Sequence, residues 1–251
     1  MLQSRKRLLA EAAAAVLWCL LTLATDRLFF RYDWHTPAFF VYKGLFLLLA
    51  FAVVHGAVTL VRNIRRKDPF TLRWLQWMLP YLIPTLIVLV IVWPGCWGND
   101  DLDVLRLART LEPNSWQHFL TSAVFILCLM FIPLPGGIVL IQTLLIAGVV
   151  GCFLAAAETL ARERLAQPPA RGWFALLYIP FLLPPVILHN MQPFRSTWST
   201  WTELFTVSAR AAHHGRAAGC AYGAGHPDGF LAERIHLLYR GAAGTAGISG
   251  R

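Results

Sequence analysis

The chain is short of charge. Only 14% of its 251 residues are Asp, Glu, Lys or Arg, against about 25% in an ordinary soluble domain. With 57% hydrophobic residues and a mean hydropathy of +0.55, it has too little polar surface to cover a water-soluble globule. Cysteine is sparse too. Cys19, Cys96, Cys128, Cys152 and Cys220 form no CxxC pair, and an odd count without framework spacing excludes a disulfide scaffold. Three of them lie inside apolar runs, where cysteine behaves as a small hydrophobe. There is no GxxxxGK[ST] phosphate loop and no GxSxG elbow, so ATP-driven transport and serine hydrolysis lack their usual signatures. Acids are outnumbered by bases, 13 to 22. On a soluble domain that excess would suggest nucleic acid. Here the bases sit in short clusters beside apolar spans, which is how membrane proteins fix orientation, and nucleic-acid binding is set aside.

What the chain does have is apolar blocks close to the roughly 20 residues that cross a bilayer core as helix. The pattern predicts an all-α, multi-pass transmembrane helical bundle over residues 1–207, with about six spans at 8–25, 38–61, 75–93, 118–134, 137–157 and 172–189. The first span follows Arg5, Lys6 and Arg7. A cleaved signal peptide also begins this way, but Glu11 interrupts the run and TLATDRLFF is a poor cleavage site, so a retained anchor is expected. Lys43 stands near one end of the second span, where its amine is expected to snorkel to the interface. The sixth span holds Pro180, Pro184 and Pro185 and must be kinked, its freed carbonyls taking partners from neighbouring helices or water.

The basic clusters Arg5–Arg7 and Arg62–Arg73 place the amino terminus in the cytoplasm of a plasma (inner) membrane protein. Residues 94–117 are then outside, where four acids face two arginines. Six alternating spans also put 158–171 outside, although it carries Arg162, Arg164 and Arg171. Either 118–157 is a tight hairpin that overrides the positive-inside tendency, or one segment does not cross. The hairpin is the expectation here, because the Arg62–Arg73 cluster fixes the earlier part.

Residues 208–251 form a different region. The last 43 residues hold 11 Ala, 9 Gly and half of the histidines but no Trp, so a disordered tail is expected, with at most a short helix over 230–239. So abrupt a change is also what a shifted reading frame produces, in which case the chain is a truncated form. His213, His214, Cys220 and His226 fit no standard zinc spacing.

The stretch WPGCWGNDDLDVL, residues 93–105, carries the chemistry that the sequence offers. Pro94 and Gly95 end the third span, with Trp93 and Trp97 at headgroup level. Asn99 is a good N-cap, and Leu102, Leu105, Ala108 and Leu111 recur as the stripe of an amphipathic surface helix. Asp100, Asp101 and Asp103 are accounted for by the dipole at a helix start. The alternative is that they act as general base or bind a divalent cation, which prefers oxygen ligands. Asp100 and Asp101 point in different directions on a helix, so at most one faces a given substrate, whereas Asp100 and Asp103 can share a site.

The order of elements over residues 75–205 resembles a GT-C type polytopic glycosyltransferase: a span ending in WPG, an acidic start to an outer loop, an amphipathic helix, then WQHFLTS leading into an apolar hairpin. The resemblance implies sugar transfer from a polyprenyl-phosphate donor at the extracytoplasmic face, with an outer-loop carboxylate as base. That role falls on Asp100 or Asp101. Trp116-Gln117-His118 matches the family's aromatic/His entry to the span after the loop, and Arg195 in HNMQPFRS is either a guanidinium suited to a donor phosphate or an interfacial anchor at a span end; Asp103, His118 and Arg195 are thus the candidate substrate-binding residues. Some family members also need a divalent cation, so the cofactor, and the metal ligands with it, stay open. Two departures stand out. In the family the catalytic loop follows the first span rather than the third, and complete enzymes are longer. The rivals are a small transporter or flippase-like carrier gated by the kinked span, and a non-catalytic membrane subunit. His55 and Gln142, inside spans, read as interhelical hydrogen-bonding residues.

Overall fold

The computed structural model of the protein describes residues 2–31, 36–112, 119–165, 167, 169–193, 197, 200–208 and 210. The chain divides into two units, Met1–Ala212 and His213–Arg251. The second unit, with His213, His214, Cys220, His226 and the expected disordered tail, lies outside the described residues.

The described residues form helices and no strand. Four helices are long and apolar enough to cross a membrane: α1 (Leu2–Phe29), α2 (Pro37–Arg65), α3 (Pro69–Ile91) and α6 (Pro135–Arg164). A bent run supplies a fifth if counted as one span: α7 (Arg171–Ala175), a 3-10 turn at Leu176–Tyr178, α8 (Ile179–Leu182) and α9 (Pro184–Asn190). Between α3 and α6 lie the short α4 (Asn99–Ala108) and α5 (Phe119–Phe131). The boundaries follow local chemistry. Pro37 and Pro69 stand in the first turns of α2 and α3, where a missing N–H costs nothing. Asp68 caps α3 by accepting from Thr71 N at 2.8 Å, after Lys67 turns the chain at φ 54°. The α2–α3 connection is therefore a tight hairpin.

α1 and α2 run antiparallel, pinned at both ends. At one end Glu11 accepts from Arg7 at 2.6 Å and meets His55 Nδ1 at 2.8 Å. At the other, Lys43 is bonded to Asp26 and, at 2.8 Å, to Thr22 Oγ1, and lies over the Phe46 ring. The snorkelling expected of Lys43 is thus overturned. The amine is buried, because a carboxylate and a hydroxyl on α1 satisfy it better than a long reach to the interface. The bend expected in the last span is present. Leu183 is extended ahead of Pro184, as the residue before proline prefers, and the two halves meet at 64°.

α3 and α6 form the antiparallel centre. Trp93 packs on Gly136 at one end, Trp74 Nε1 donates to Gly148 O at 2.8 Å midway, and Trp77 Nε1 donates to Glu158 at 2.7 Å near the other end. Close approach needs Gly151, where an added Cβ would stand 2.8 Å from Met78 Cβ and 2.9 Å from Trp74 O. Because α6 is antiparallel to α3, Arg162 and Arg164 lie at the same end of the bundle as Arg62, Arg65, Arg66 and Arg73. The expected hairpin with 158–171 on the far side is therefore corrected. The segment predicted at 118–134 is not among the helices long enough to cross, its described part being the shorter apolar helix Phe119–Phe131. Among the described residues α5 has 13 residues, about 20 Å at helical rise, against a hydrocarbon core of about 30 Å. α5 is enclosed by protein, with Phe125, Ile126 and Leu129 fully buried among side chains of α1, α2 and α4.

Candidate functional site

The acidic stretch folds as a surface element clamped over α5. Gly95, at φ 119°, turns the chain out of α3 at a point where a Cβ would meet Val139 and Met191 O. Cys96 N then donates to Met191 O at 3.0 Å. α4 begins one residue earlier than the sequence indicates: Gly98, extended at φ −86° and ψ 166°, is the N-cap, and Asn99 is the first helical residue. Asp101 at the third position reaches back to accept from Gly98 N at 3.1 Å, which is the carboxylate half of a capping box. The far end of α4 is tied to α1 by Arg31 N donating to Arg109 O at 2.7 Å. There the Arg109 guanidinium lies over the Phe29 ring.

These two ties set the helix's rotation, and it differs from the expected one. The inward stripe is Asp101, Val104, Ala108 and Leu111, while Leu102 is exposed. Leu111 turns back into the core at φ 60°. The face predicted from Leu102, Leu105, Ala108 and Leu111 is thus displaced by one position at its amino-terminal half. The consequence is chemical. Asp101 is 4% exposed, against a core that includes Val104, Phe125 and Leu129, whereas Asp100 and Asp103 are exposed.

Among the described residues, the hydrogen-bond partner of the Asp101 carboxylate is Gly98 N–H alone. Burial pushes its pKa above the ordinary aspartate value of 3.8. The Gly98 bond draws it partly back, and the neighbouring charge of Asp100 adds to the rise. A carboxylate in this position is a better proton acceptor than a solvated one. Asp100 and Asp103, exposed and three residues apart, share a side of α4. The three carboxylates do not converge, and no group of three His, Cys, Asp or Glu with metal-holding geometry occurs among the described residues. Among the described residues, the donor set at α4 does not fit the divalent cation that the sequence resemblance raised.

The other predicted site residues are placed only in part. His118, with Trp116 and Gln117, and Arg195, with Phe194, lie outside the described residues. Asn190 is described and its amide is occupied: Nδ2 donates to Tyr81 OH at 3.2 Å and Oδ1 accepts from Trp201 Nε1 at 3.0 Å. Gln142 bonds helix to helix as expected, its Nε2 donating to Asn190 O at 2.7 Å and Gln192 O at 2.9 Å.

Two arrangements had no reading in the sequence. One is the Asp26–Lys43 pair; the acid in TLATDRLFF was visible, but its partner lies across a helix pair. The other is a network at the same end of the bundle as Glu11: Glu158, 1% exposed, accepts from Trp77 at 2.7 Å and Arg162 at 2.8 Å and pairs with Arg171 at 3.7 Å. It ties α6, α3 and the start of the bent span together. The chain matches no family model, no curated protein and no solved structure.

Proposed function

We propose that this protein is a glycosyltransferase-like membrane enzyme, working at the face of the bilayer that carries α4, with Asp101 as its general base. The observation that carries the reading is the inward carboxylate of Asp101, whose hydrogen-bond partner among the described residues is Gly98 N–H, on a helix that lies outside the spans. In the proposed step an acceptor hydroxyl gives its proton to Asp101. Its oxygen bonds to the anomeric carbon, and the bond from that carbon to a polyprenyl-phosphate oxygen breaks, the electron pair leaving with the phosphate. Asp100 tunes the base through its charge, and Asp103, His118 and Arg195 keep the substrate-binding roles expected of them, Arg195 toward the phosphate. No step is assigned to a metal ion.

The orientation has its own support. Arg5, Lys6 and Arg7, Arg62–Arg73 and Arg162–Arg171 all collect at one end of the bundle. Such clustering favours that end as cytoplasmic and α4 as extracytoplasmic in an inner membrane. A second reading draws on the 64° bend at Leu183, since broken helices line substrate paths in transporters. Purified protein in vesicles, supplied with a radiolabelled polyprenyl-phosphate sugar, separates the two. Transfer that falls about 10²–10⁴-fold in Asp101→Asn and persists in Asp100→Asn supports the enzyme. Movement of label across the membrane without transfer would support the carrier instead.

A further inference from the structure

A cleft of about 660 Å³ opens between α3, α6 and the helical residues 200–208, within the roughly 300–1,000 Å³ of small-ligand sites. Its walls are nearly all apolar, with Trp74, Met78, Leu145, Val149 and Phe205 among them. Along α6 it runs from Gln142 to Cys152, about 15 Å at helical rise. It is therefore a trough for an extended chain. One end is different. Gln142, Thr197 and Trp201 line it there, beside the hydrogen-bonded Asn190 and Tyr81.

Gln142 is 1% exposed, and its Oε1 has no hydrogen-bond partner among the described residues. Its amide cannot be turned to repair this, because Nε2 is held by two carbonyl oxygens, Asn190 O and Gln192 O. A buried amide oxygen without a donor is costly in apolar surroundings. A ligand that brings an O–H or N–H to this end removes that cost while its chain covers the trough.

We propose that the cleft is a binding site for a single-chain amphiphile. Its aliphatic chain lies along the trough, and its hydroxyl or amine head donates to Oε1 of Gln142. The proposal rests on neither Asp101 nor sugar transfer, so it stands or fails separately from them.

The test uses photoreactive 1-hexadecanol and its methyl ether, which share a chain and differ in the donor. The full chain is reconstituted in phosphatidylcholine nanodiscs, whose headgroup offers no competing donor. The alcohol is expected to label peptides of α6 and of 200–208 with about tenfold preference over the ether. Gln142→Leu is expected to keep the ether's labelling and lose the preference. Gly148→Trp is expected to abolish labelling by both, since only Trp74 approaches a Cβ there, at 3.8 Å. Leu145→Trp, at a lipid-exposed position of the same wall, gives the same reading without touching a glycine. Equal labelling by alcohol and ether in the unaltered chain would overturn the proposal. So would labelling spread evenly over α1 and α2, or a cleft occluded by a second copy of the chain in dimer-sized particles.

Discussion

Asp100 and Asp101 are adjacent in sequence but differ in surroundings, because one helical step is about 100° of rotation. Asp101 turns under α4 and Asp100 turns away. This difference makes a pH prediction. An Asp101 pKa above 3.8 places the acid limb of transfer activity above the range of a solvated aspartate, and activity rises as pH climbs through it. Asp100→Asn removes the like charge and should move that limb downward, read from kcat/KM against pH in the two proteins. For stability the sign is opposite. Burial favours the protonated form, so the fold loses a little stability as pH rises through the same pKa. Asp26 and Lys43 make a second residue-scale prediction. Removing one partner of a buried pair costs about 3–5 kcal/mol, so Asp26→Ala should lower the thermal midpoint sharply. Asp26→Leu with Lys43→Leu should restore most of it.

Among elements, the long spans were legible because length and composition alone decide them; α1, α2 and α6 contain the apolar blocks at 8–25, 38–61 and 137–157, and α3 covers all but the last two residues of 75–93. The proline-driven break was legible for the same reason, since a missing N–H acts locally. α5 was not. Its residues are as apolar as a span, and periodicity cannot tell burial under α4 from burial in lipid. The rotation of α4 was hidden for a related reason. It is set by the Gly98 cap and by Arg31 and Arg109, which meet only in three dimensions. The α3–α6 contact gives the prediction at this scale. Gly151→Val places atoms within 3 Å of Met78 and of Trp74 O, an overpacking that costs about 1–3 kcal/mol. Gly148→Ala, with its nearest neighbour at 3.8 Å, should be tolerated, and thermal melts of the two variants in detergent compare them.

For the whole molecule, the antiparallel α3–α6 pair decides topology. With Cys96 replaced by Ser, a membrane-impermeant thiol reagent should label Arg66→Cys and Arg164→Cys from one side and Asp103→Cys from the other. Labelling of Arg164→Cys together with Asp103→Cys would restore the six-span alternation and remove the present arrangement. The basic ends, the short α5 and the surface helix α4 are what the proposed function draws on: Asp101 as a base at the end of the bundle away from the basic clusters. The measurement that tests it most directly is sugar transfer in vesicles of defined orientation, comparing the unaltered chain with Asp101→Asn at equal insertion. The account predicts transfer only where acceptor reaches the α4 face, and its loss in Asp101→Asn. Undiminished transfer by inserted Asp101→Asn would contradict it.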